Sequence, residues 1–137
     1  MPGEAAQAAM AQVQKVIDVQ ASALQKDFQV ALESFSARGF SAPNGPLANS
    51  FKEKTTERLR LAGRSVYTTL QASALFSSLI PEEVEIVRNA AEEGLRTIAE
   101  SYHGAMEQYR LESARGREVD ALLDSEIMKL AELFKHR

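Results

Sequence analysis

Val84, Val87, Ala91, Leu95, Ile98, Tyr102, Ala105 and Tyr109, then Val119, Leu123, Ile127, Leu130 and Phe134, mark 84–134 as a run in which small or apolar residues return every three to four positions. That spacing draws one seam along a helix. A single helix over the whole run would extend roughly 75–80 Å at 1.5 Å per residue. A compact chain of 137 residues has a radius of gyration of only about 14 Å. The overhang predicts a seam covered by other chains, with Tyr109, Val119, Leu123, Ile127, Leu130 and Phe134 as its interface. The weakest part is 110–120, where Glu112 and Gly116 fall on the seam, and a break or bend there is the alternative.

Upstream, Met10, Ile17, Ala21, Leu24, Phe28, Ala31 and Phe35 follow a heptad-like rhythm and predict a first helix over about 4–37. Arg38-Gly39 stops it with a basic last turn and a glycine able to turn left-handed. Pro43-Asn44-Gly45-Pro46 then combines two fixed φ angles with a flexible pair, so 38–49 reads as a loop flanked by Phe40 and Leu47. A second helix over 46–80 starts at Pro46 or at Ser50, where Ser50 and Glu53 have capping-box spacing. Its seam runs through Phe51, Leu59, Ala62, Val66, Leu70 and Phe76. The two helices are of similar length and shortly connected, which predicts an antiparallel hairpin over 1–80 closed by Ile17, Phe28, Phe35, Leu59 and Val66. Pro81 predicts a restart, followed by Glu82, Glu83 and Glu85 at a helix N-terminus. The expected fold is all-α: a hairpin plus a long third helix over 81–137, assembled as an elongated bundle or coiled coil.

Composition agrees with that class. Apolar residues make up 45% and charged residues 26%, ordinary for a folded soluble chain. There are six Phe, three Tyr and no Trp, which favours close helix packing over a deep aromatic pocket. Absence of cysteine removes thiolate chemistry and Cys-based metal sites. A net charge of −3 argues against nucleic acid as a partner. Met1-Pro2-Gly3-Glu4 lacks the features of a signal peptide, and the uncharged stretch 65–80 is too short and polar to span a membrane. Charge is segregated: five basic and two acidic residues in 52–64, six acidic and two basic in 82–100. The blocks either face each other, across the bundle or between subunits, or are simply solvated.

Few residues invite chemistry. Glu100 and His103 have the Glu-x-x-His spacing that di-iron bundles use in two copies, with further glutamates on two other helices. Here there is one copy, with Glu92 or Glu93 as further candidates and no well-placed companion on the first two helices. No metal or other cofactor is therefore expected. Glu132 and His136 sit four apart near the C-terminus, where histidine complements the helix dipole. No nucleophile elbow or phosphate loop is present in the sequence. The chain is expected to be no enzyme and to take no small-molecule substrate. Lys52, Lys54, Arg58, Arg60 and Arg64 form a basic stripe without interleaved aromatics, expected to be solvated or ion-paired.

The stretch 33–48 carries Phe35-Ser36-Ala37-Arg38-Gly39-Phe40, then Pro43-Asn44-Gly45-Pro46-Leu47-Ala48. It resembles bacteriophage tail and virion structural proteins, in which a long helix ends in an Ala-Arg-Gly-aromatic turn and Pro-x-Gly opens another. The uncharged stretch 65–80 and Pro81 depart from that family's pattern. The resemblance implies a non-enzymatic, tail-associated virion component that assembles with copies of itself and other virion proteins. It would be located in the virion, and in the host cytoplasm during assembly. Phe40, Pro43, Asn44, Gly45, Pro46 and Leu47 would form a docking loop at the bundle's end. The other expectation is a stand-alone adaptor or surface-coating protein, similar to phasins, acting through amphipathic helices.

Overall fold

The computed structural model describes residues 3–37, 45–111 and 116–135. The chain is all-α, and its described residues form four long helices and one single-turn helix: α1 (Glu4–Ala37), α2 (Gly45–Ala72), α3 (Ala74–Ser77), α4 (Pro81–Gln108) and α5 (Gly116–Lys135). Among the described residues no helix is long and apolar enough to cross a membrane.

Helix boundaries follow local hydrogen bonding. α2 opens at Gly45, so Ser50 lies inside the helix and does not cap it. Glu53 instead accepts a bond from Asn49 Nδ2 at 2.8 Å. The second helix ends at Ala72 rather than near 80. Beyond it, Ser73, Phe76 and Leu79 each donate a backbone bond three residues back, a tighter winding that turns Phe76 and Leu79 into the core. Pro81 restarts the chain as expected, at the first position of α4, where its missing N–H costs nothing. One carboxylate oxygen of Glu83 accepts the Ile80 N–H at 3.2 Å. The other accepts the Gly3 N–H at 2.9 Å, joining the start of α1 to the start of α4.

The long third helix predicted over 81–137 is two helices. α4 ends at Gln108 with Tyr109 as its C-cap, and Arg110 takes φ 53°, a left-handed conformation rarely adopted by a residue of this kind. The N–H of Arg110 donates to Glu107 O at 3.1 Å, and that of Leu111 to Met106 O at 2.8 Å. These are the two reverse bonds of a Schellman closure, with the usual apolar partners, Leu111 and Met106, both buried. Gly116, which interrupts the seam, opens α5.

Contacts fix the direction of each helix. Asp27 with Arg58 and Phe28 with Phe51 make α1 and α2 antiparallel, the hairpin the sequence predicts. Gly3 with Glu83 and Ile17 with Gly94 make α1 and α4 parallel. Lys52 with Glu118 and Phe76 with Phe134 run α5 alongside α2, parallel to it. α1 and α5 each pack on both α2 and α4, which also touch one another. The result is an up-down-up-down bundle with α2 and α4 as its central pair.

The seam expected between subunits is therefore closed inside the chain. Val119, Leu130 and Phe134 are buried, at 0, 1 and 6% exposure. Tyr109, Leu123 and Ile127 pack half-buried on the same core. Tyr109 also meets Phe51 edge-on, with ring centroids 6.0 Å apart.

Two substitutions test this architecture. Arg110→Gly relieves the left-handed strain and should stabilise the chain by about 1 kcal/mol in urea unfolding. Were α4 and α5 continuous, the same change would cost about 1 kcal/mol. At Gly94 a Cβ would stand 2.6 Å from Ile17 Cγ1. Gly94→Ala should therefore destabilise by about 1–3 kcal/mol from overpacking, against a helix-propensity gain of about 0.5–1 kcal/mol. Combined with Ile17→Ala, the loss should be smaller than the sum of the two single changes.

Candidate functional site: a cationic groove between α2 and α5

Two small residues on α2, Ala62 and Gly63, are buried where α5 crosses. The absent side chain at Gly63 leaves room for a carboxylate. A Cβ there would stand 3.0 Å from Glu126 Cδ and 3.2 Å from both carboxylate oxygens. Glu126 fills that space and is only 5% exposed, a buried acid on the core side of α5. Lys129, one turn further on, holds its ammonium 3.4 Å from the Glu126 carboxylate.

Around this pair the surface opens into a groove of about 380 Å³, lined by Arg60, Gly63, Arg64 and Tyr67 of α2 and by Glu126 and Lys129 of α5. Arg60 and Arg64 are exposed, and neither has an ion pair or hydrogen bond among the described residues. Three cations against one carboxylate leave the groove net positive. Its walls combine the Tyr67 ring with aliphatic side-chain stems, so it offers apolar contact beneath a charged lip.

The rest of the basic stripe is engaged elsewhere. Arg58 forks onto Asp27, Nε to Oδ2 at 2.8 Å and Nη2 to Oδ1 at 3.3 Å, while Nη1 reaches Gln20 at 3.3 Å. The Asp27 bond holds the guanidinium pKa above its ordinary value. Lys52 pairs with Glu118 at 2.7 Å. Arg88 and Arg96 of α4 bond to Glu85 and Glu93 of their own helix. The basic and acidic blocks are thus not paired with each other across the bundle.

Other sequence candidates are dispersed. In the expected docking loop, Phe40, Pro43 and Asn44 lie outside the described residues. Gly45 and Pro46 are exposed in the first turn of α2, and Leu47 is buried beneath it. His103 Nε2 stands 2.8 Å from Asp120 Oδ1, bridging α4 to α5, while Glu100 points to solvent. No group of three or more His, Asp or Glu placed to hold a metal occurs among the described residues. Glu126 was missed in the sequence. Its signal is an acid three residues after Leu123 and four before Leu130, on the apolar stripe.

The Lys129 side chain is 64% exposed, so neutralising its buried partner leaves no buried charge without compensation. Glu126→Gln should leave the urea midpoint unchanged or raise it. A loss above about 1 kcal/mol would instead make this carboxylate a structural support of the bundle.

Comparison with protein-family models, curated proteins and solved structures finds no match to this chain.

Proposed function

We propose that this chain is a non-enzymatic helical adaptor whose α2–α5 groove docks an acidic segment of a protein partner. The observation that carries it is the pair Arg60 and Arg64, exposed, one turn apart and unpaired, at the lip of a groove backed by Tyr67. Guanidinium groups suit carboxylates because their planar fork donates two parallel hydrogen bonds. An aromatic ring beside them supplies contact area at low entropic cost, the usual composition of an interface centre.

The closed bundle also bears on the setting. Large exposed apolar residues are scattered over the helices, with Val19 and Val30 on α1, Leu61 on α2, Ile86 on α4 and Met128 on α5. Scattered residues of this kind make no contiguous apolar face, among the described residues, with which to coat a broad apolar surface. The resemblance of 33–48 to phage tail proteins supports a virion as the place where such an adaptor works.

A photo-crosslinking amino acid at Tyr67 should form a covalent adduct with a protein partner in cells. The adduct should disappear when Arg60 and Arg64 are both changed to Glu. The same probe at Met128, 69% exposed on the outer side of α5, serves as control. No adduct at position 67, or an equal yield at 128, would overturn the proposal.

A further inference from the structure

α4 carries the counterpart to the groove on its outer surface. Glu100 and Glu107 are exposed, lie seven residues apart on one face, and have no side-chain partner among the described residues. Two turns of helix separate them by about 10.5 Å. Between them sits Gly104, exposed, with no atom within 4 Å of the position its Cβ would occupy. The bare backbone there forms part of an open groove of about 320 Å³ between α1 and α4, bordered by Gln25, Gln29 and Gln108. A gap in the side-chain layer between two carboxylates leaves room for a long cationic side chain from another helix.

From this we infer that the partner in the α2–α5 groove is a second copy of the chain. Arg64 of one copy lies over Gly104 of the next, Arg60 and Arg64 meet Glu100 and Glu107, and Tyr67 packs beside them at one end of the contact. The inference rests on the groove being a protein-docking site. It also gives Arg60 and Arg64 of the basic block, and Glu100 of the acidic one, the ionic partners that they lack among the described residues. The two patches differ and lie on different helices, so the contact is heterologous. Repetition of such a contact closes a ring or extends a filament.

Sedimentation velocity on the full chain tests this with two charge-reversed variants. One carries Arg60→Glu with Arg64→Glu, the other Glu100→Arg with Glu107→Arg. Wild type should gain mass with concentration, and added salt should oppose the gain. Each variant should stay monomeric, or assemble at a concentration higher by more than about tenfold, because like charges then meet. An equimolar mixture should assemble again, since each altered patch matches the other. Gly104→Leu should also weaken assembly while circular dichroism remains helical. Wild type that stays monomeric at millimolar concentration would overturn the inference, as would a mixture of folded variants that fails to recover. Monomeric wild type with a Tyr67 adduct to a different protein would reject self-association and leave the docking groove standing. Failure of both experiments would remove both.

Discussion

Backbone closure at the end of α4 decides what the remaining chain can do. Leu111 bonds back to Met106, Arg110 turns left-handed, and α5 packs back against α4. Without that reversal the apolar stripe of α5 would point into solvent beyond the end of the hairpin. With it, Val119, Leu130 and Phe134 complete a core that α1, α2 and α4 leave open on one side. An exposed seam that would demand foreign helices becomes an internal one, and the surface left for partners is polar and grooved. The energy stored in one strained arginine is small beside the apolar area that α5 buries.

Small residues set how closely the helices approach. Gly94 lets Ile17 reach the α4 backbone, and Gly63 makes room for Glu126. The aromatic contacts lie toward opposite ends of the bundle. Phe28, Phe51 and Tyr109 gather where α2 begins and α4 ends. Phe76 meets Phe134 at the other end, with ring centroids 5.1 Å apart. Much of the packing between is alanine, leucine and valine, which explains how a chain with so few aromatic residues closes a core.

Long-period patterns were legible, and tertiary turns were not. The bounds of α1 and the restart at Pro81 follow from uninterrupted apolar spacing and from proline's missing donor. The end of α2 was misplaced because 73–80 is uncharged and compatible with a helix by propensity, whereas burial of Phe76 and Leu79 favours a tighter turn. The break after α4 was legible only as an alternative over 110–120, marked by Glu112 and Gly116 on the seam. Glycine advertises a positive φ and arginine does not, so the turn at Arg110 itself carried no signal. The groove was half legible. The basic residues of 52–64 stood out, but which of them are engaged depends on Asp27 and Glu118, distant in sequence. Glu126 broke an apolar stripe, a signal whose meaning depends on Gly63 lying opposite.

Parallel pairing of α1 with α4 has a consequence for how the chain acquires its shape during synthesis. Ile17 must wait for Gly94, and the Gly3 amide for Glu83. At roughly 5–20 residues per second, the ribosome delivers the second member of the Ile17–Gly94 pair about 4–15 s after the first. Helix pairing takes far less time than that, so the α1–α2 hairpin can form while one side of α1 still has no cover. The nascent chain therefore passes through an interval in which a half-built bundle shows its apolar stripe to water. The arrival of α4 brings that interval to a close.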